Sequence, residues 1–455
     1  MKQHEKKPGN ENRDRKAKNV VEILLVVAAI LLIPLFFAIR TAANPPATPK
    51  TATPHKPAAT IAPGSATKVK EPPPCTFPLA PIAATETAPE SYTFSEPKVV
   101  LTSSEDLYDV VEWLPDNQRA LMTRELRSPN NKTIQQSIEL FNPQTSEIQV
   151  YATRNQTAEP PSWLPELNAV VFPAMHILSV DEKNHRYQFT RQIWVSHGNP
   201  QATELIADNL PQYYVAVKPS GGGMLYLSDK RIIRRNGLLK DLPSSSFDSS
   251  EWDYSKGRAR ELPISYEMIW QPGTAFIFLY SDGDTGGGYT FILDSNTGQV
   301  CELKLGGWAA RAKWSPNGRY LAIARFQGGR PTESSDLAVL DAATGKLYTM
   351  RVTPEDMVGK HYVSDIAWAP DNRHVLAVGS VLSSSGAMQN DSKGLYLVDF
   401  VSGQSDPILP AYAFSTDSSR SSNLAWSPDG SQLLARCPTV EEERICLVSV
   451  QQNVK

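Results

Sequence analysis

Trp314-Ser315-Pro316-Asn317-Gly318 runs into Tyr320-Leu321-Ala322-Ile323-Ala324, and the same phrase recurs at Trp368-Ala369-Pro370-Asp371-Asn372 and Trp426-Ser427-Pro428-Asp429-Gly430. Each part of it has a structural reason. Asn-Gly, Asp-Asn and Asp-Gly supply the positive-φ positions of a tight hairpin. The proline fixes φ on entry and lacks the N–H that a continuing strand would need. The alternating residues that follow, as in His374-Val375-Leu376-Ala377-Val378, read as a β-strand. Four looser copies precede these three: Trp113-Leu114-Pro115-Asp116-Asn117, Trp163-Leu164-Pro165-Glu166-Leu167, Val217-Lys218-Pro219-Ser220-Gly221 and Trp270-Gln271-Pro272-Gly273. Successive copies begin 50, 54, 53, 44, 54 and 58 residues apart. A period near that length with β-type alternation suits propeller blades.

A third strand follows in several repeats and carries its own turn. Phe291-Ile292-Leu293-Asp294 precedes Thr297-Gly298, and Ala338-Val339-Leu340-Asp341 precedes Thr344-Gly345; Ile193-Trp194-Val195 and Leu395-Tyr396-Leu397-Val398-Asp399 are similar. No amphipathic helix stands out after residue 91. The expectation is an all-β chain: a seven-bladed β-propeller of four-stranded antiparallel blades over residues 92–455. Trp113, Trp163, Trp270, Trp314, Trp368 and Trp426 are then structural, filling seams between blades with an N–H free to find an acceptor. Six blades plus an irregular segment is the alternative, because the third repeat is the weakest. Lys98–Thr102 has no partner of its own, and the last repeat, with Ile445–Val448 as its third strand, lacks an outer one. Pairing the two would seal the ring and hide a sheet edge.

Upstream the composition changes twice. Residues 1–19 read as a basic cytoplasmic tail, with Lys2, Lys6, Lys7, Arg13, Arg15, Lys16 and Lys18 against three acids. Residues 20–39 are apolar except for Glu22, and at 1.5 Å per residue they reach about 30 Å, a bilayer's hydrocarbon thickness. The basic flank predicts a transmembrane helix with its N-terminus in the cytoplasm and the remainder outside, a single-pass protein of the plasma membrane. A cleaved signal peptide is the alternative, with an apolar run long for that role. Residues 40–91 read as a disordered Pro-rich linker: Pro, Ala and Thr make up 33 of the 50 residues from Thr41 to Glu90. Extended polyproline of that length reaches up to about 150 Å, enough for a stalk.

The repeat phrase resembles the WD-like repeat of TolB-type propellers, and the propeller domains of the dipeptidyl peptidase IV and prolyl oligopeptidase families. The resemblance covers about residues 97 to 455. It implies the fold and little about activity, since propellers host many unrelated functions. In the peptidase families the catalytic triad lies in a separate α/β-hydrolase domain, for which no stretch of this sequence provides.

Composition and motifs narrow the function. A net charge of −3 argues against general nucleic-acid binding. The four cysteines include no C-x-x-C pair. Cys437 and Cys446 flank a short connection and are expected to form a cross-strand disulfide; Cys75 and Cys301 pair by elimination or stand as isolated thiols. The hydrolase, zinc-protease and nucleotide signatures G-x-S-x-G, H-E-x-x-H and G-x-x-x-x-G-K-[ST] do not occur, so catalysis has thin support and no cofactor or metal is implied. Ser281–Gly288 carries two alternating Asp but lacks the remaining ligands of a calcium loop. His176, His185 and His197 fall near the second blade, and His361 and His374 near the sixth. Long connections are expected on one face at Ala174–Arg191, Pro243–Leu262, Arg325–Ser335, Gly379–Lys393 and Ala411–Ser422. Trp252 and Tyr254 between charged residues suit a binding surface, and Arg325 and Arg330 around Gly328-Gly329 suit a carboxylate or phosphate. The leading expectation is a non-catalytic module that binds a protein or cell-envelope component on this loop face. The alternative is a glycan-active lyase or hydrolase with its site in the funnel.

Overall fold

The structure, a computed structural model, describes residues 73–79 and, with interruptions in the loops, 91–453. The tail 1–19, the apolar run 20–39 and most of the linker 40–91 lie outside the described residues. No helix among the described residues is long and apolar enough to cross a membrane.

Seven antiparallel sheets follow in chain order, each packed on the next and the last on the first. Their innermost strands are Leu107–Trp113, Ser162–Leu164, Val215–Val217, Tyr266–Trp270, Trp308–Trp314, Lys360–Trp368 and Leu424–Trp426. The expectation of seven regular four-stranded blades is corrected to six regular blades and one irregular sheet. Five sheets have four strands in simple succession. The closing sheet fills its fourth position with two N-terminal segments in line, Ser91–Phe94 and Lys98–Ser103, both antiparallel to the long strand Glu443–Asn453. The third sheet breaks the plan. Its inner strands are Val215–Val217 and Met224–Ser228, and two fragments, Lys240–Asp241 and Phe247–Asp248, share the one strand Arg231–Asn236.

A seam hydrogen bond from the repeat tryptophan recurs in three of the blades. Trp113, Trp314 and Trp368 each donate Nε1–H to the carbonyl just before the corresponding tryptophan of the preceding blade: Ala425 O at 2.9 Å, Ile269 O at 3.2 Å and Lys313 O at 2.7 Å. Each such bond staples two inner strands inside an apolar seam. The third repeat has Val217 in that place and cannot make it. In the following blade Trp270 turns its N–H to its own turn, at Thr274 O, 2.9 Å away. The turns after the tryptophans repeat closely. Asn117, Gly273, Gly318, Asn372 and Gly430 all have positive φ. Asn117 and Asn372 also reach sideways: their Oδ1 atoms accept from the backbone N–H groups of Asp429 and Asn317, at 2.9 and 2.8 Å, in neighbouring blades.

Part of the Pro-rich linker is docked on the ring. Glu302 N–H donates to Pro73 O at 2.9 Å, Cys75 N–H to Glu302 O at 3.0 Å, and Leu79 N–H to Ala342 O at 3.0 Å. A parallel bridge at Pro74 and a disulfide between Cys75 and Cys301 fix this strap to the outer edge of the fourth blade. Phe77 lies over Gly345, where any Cβ would come within 2.6 Å of its ring. Leu79 is buried with Phe278, Leu303 and Ala338, so the strap joins the core between blades four and five.

A candidate functional site in the central channel

Residues alternate sides along a strand, so in each inner strand the positions one and three before the tryptophan share a face. In four blades those positions hold ionisable groups: Glu112, Glu267, Arg311 with Lys313, and Asp365. Three of these strands carry a register irregularity immediately before such a residue, between Val110 and Glu112, Ala309 and Arg311, and Val363 and Asp365. Bulges of this kind re-aim side chains, and they concentrate next to functional sites.

A cavity of about 510 Å³ is lined by Glu112, Glu267, Arg311 and Lys313 together with all six repeat tryptophans. That volume falls within the range of small-ligand sites. The tryptophans are 4–8% exposed, so most of each ring is packed into the seams. Arg311 Nη1 lies 3.4 Å from Glu267 Oε1, and the Tyr280 hydroxyl donates to Glu267 Oε2. Burial opposes the Arg311 charge, yet the Glu267 carboxylate beside it holds its pKa above the usual value. Lys313 Nζ lies 3.9 Å from Asp365 Oδ1. Asp365 is fully buried and also accepts from the backbone N–H groups of Ile366 at 2.8 Å and Asn423 at 2.5 Å. Glu112 Oε1 accepts the backbone N–H of Trp163 at 2.8 Å. Burial pushes the Glu112 carboxyl up to about 7, against the opposing pull of that N–H and of Lys313.

The residues expected to form a site from the sequence are elsewhere or outside the described residues. Trp252, Tyr254, Arg330 and the Asp282/Asp284 loop lie outside them. Arg325 is buried, and its guanidinium is engaged within the fifth blade. Nε and Nη2 donate to Asp336 at 2.9 and 2.6 Å, and Nη1 to Leu305 O at 2.5 Å. The Ala174–Arg191 connection is largely paired, by the long strands Ala169–Asp181 and Arg186–Ser196, with Leu178 and Phe189 exposed along it. Cys437 and Cys446 are joined, as are Cys75 and Cys301. The histidines are dispersed: His361 Nδ1 meets the Thr353 hydroxyl and His374 Nδ1 meets Asp371 at 2.6 Å. Among the described residues no group of three or more His, Cys, Asp or Glu is placed to hold a metal ion. The signal for the channel cluster was present in the sequence, as charges spaced at one and three before the repeat tryptophan.

No family model matches the sequence, and no curated protein matches it. Solved structures do resemble it in fold. TolB from Acinetobacter baumannii aligns over 70% of this chain and 77% of its own at 13% identity, with a TM-score of 0.37. The β-propeller domain of Cps50 (Swd1) from Myceliophteria thermophila aligns over 77% and 99% at 11% identity, with a TM-score of 0.46. The β-propeller domain of the trilobed protease from Pyrococcus furiosus aligns over 77% and 98% at 12% identity, with a TM-score of 0.45. The chain is thus similar to TolB and to other propellers in the general plan of its fold.

Proposed function

We propose that this protein is a non-catalytic binding module, held outside the cytoplasm by a membrane-spanning segment at residues 20–39, which engages a protein or cell-envelope component through its ring. The observation that carries the binding reading is the channel: a preformed cavity inside a rigid scaffold, with charged groups aimed into it by bulged strands. Placement outside the cytoplasm draws support from the cysteines, all four of which are paired, since such bonds persist in oxidising compartments. The apolar length of residues 20–39 and the basic residues before it support the anchor.

Cross-linking of the full-length protein in its native membranes, followed by mass spectrometry, tests this reading. A parallel sample lacking the Pro243–Leu262 connection asks whether that loop contributes. One stoichiometric partner, cross-linked through residues of the ring, is the expected result. Recovery of the protein without any partner under several cross-linker chemistries would remove the reading.

A further inference from the structure

Among the described residues at these inner-strand positions, the charges do not cancel. Arg311 is matched by Glu267, and Lys313 by Asp365, at 3.4 and 3.9 Å. Glu112 is the fifth charge and the acidic surplus. Its described hydrogen bond is one backbone N–H, from Trp163, and it lines the cavity. Glu112 is half-buried and, among the described residues, makes no ion pair. Lys313 attracts it from beyond ion-pair distance and is already shared with Asp365, so a single positive charge beside Glu112 would bring these five groups to neutrality.

We infer that the channel is a receptor for one organic cation, the ammonium or guanidinium of a lysine or arginine side chain on a protein partner, with Glu112 as its counter-ion. This rests on the reading of the ring as a binding module and names what enters it. The apolar walls suit the methylene stem of such a side chain, which buries its carbons while its charged end seeks a partner. Lys313 and Arg311 face the same cavity, and their pairing with Asp365 and Glu267 limits their repulsion of an incoming cation. Glu112 loses its proton only near neutral pH, so cation binding is coupled to proton release there.

Nα-acetyl-lysine N-methylamide is the probe, titrated into the full chain in detergent by ligand-observed NMR, with tryptophan emission reading occupancy. Nα-acetyl-norleucine N-methylamide serves as the uncharged counterpart and n-butylammonium as the free amine. Saturable binding of the lysine amide is expected, stronger as pH rises through about 7, with little binding of the norleucine amide. Glu112→Gln keeps an acceptor for the Trp163 N–H and should weaken the lysine amide about tenfold or more, as loss of a charged hydrogen-bond partner does. Butylammonium binding more weakly than the lysine amide supports a partner's side chain as the source; equal binding overturns that assignment in favour of free amines. Equal binding of lysine and norleucine amides, no saturable lysine binding, or unchanged affinity in a folded Glu112→Gln protein overturns the inference. The cross-linking result stands apart: a captured partner with no cation binding sinks this inference alone, and cation binding with no partner sinks the module reading and with it the protein source of the cation, while Glu112 as counter-ion stands.

Discussion

Trp368 and Trp426 hold equivalent places in adjacent blades, are equally buried, and differ at one atom. Trp368 Nε1 donates to Lys313 O across the seam, whereas Trp426 Nε1 is buried without a hydrogen-bond partner among the described residues. Truncating either to alanine should cost about 3–5 kcal/mol, as for large buried aromatics. Replacement by phenylalanine should separate them: Trp368→Phe removes a buried hydrogen bond that Trp426 does not make, and should cost about 1 kcal/mol more than Trp426→Phe. Urea denaturation of the two variants measures this, and equal midpoints would remove the seam bond as a determinant. Glu112 carries a second expectation. Its carboxyl titrates at about 7 in the folded protein against an ordinary value of 4.5, so between these values the folded state holds a proton that the unfolded state has released. Stability should therefore fall as pH rises through that interval and level off above it, by on the order of 1–3 kcal/mol in all. Glu112→Gln should flatten the trend; a parallel slope in the variant would assign it to other groups.

Among the elements, the strap at Pro73–Leu79 was the hardest to read. Its prolines match the spacer on either side, and nothing local tells that Phe77 and Leu79 have a seat; only Cys75, matched by elimination to Cys301, pointed to the ring. Replacing both cysteines by alanine should release the strap and leave the ring folded. Hydrogen exchange would show the Cys75-position, Leu79 and Glu302 amides losing protection while the inner strands keep theirs. Protection unchanged at all three would mean that the apolar seat alone holds the strap. The repeat phrase was legible because turn chemistry is local: Asp, Asn, Gly and Pro act within four residues of one another. The irregular third sheet was legible only as a weakness at Val217. Its layout, with two fragments sharing the strand Arg231–Asn236, depends on pairings between separate segments of the chain. The channel cluster was missed for the same reason. Glu112, Lys313 and Asp365 belong to separate repeats, and only closure of the ring makes them neighbours.

At the scale of the whole molecule, the ring is shut by one long strand. Glu443–Asn453 receives Lys98–Ser103 and Ser91–Phe94 along its free edge, and the Tyr92 hydroxyl reaches past it to Asp371 Oδ2 at 2.7 Å. Burial first, then the Asp371 charge, raises the Tyr92 pKa, so its proton stays in that bond. Deleting residues 91–103 should bare the edge of the closing sheet and give a protein that self-associates, as size-exclusion chromatography with light scattering would show. A monomer of unchanged stability would mean that the outer segment is not the closure. The strap gives this arrangement a mechanical meaning. Tension on the chain before Pro73 enters the ring at Cys301, through a covalent bond, and is borne by the fourth blade. The hydrogen bonds that keep the ring shut lie further along the chain and stay slack under that load. A pull that would peel Ser91–Ser103 away like a zip is stopped one link earlier.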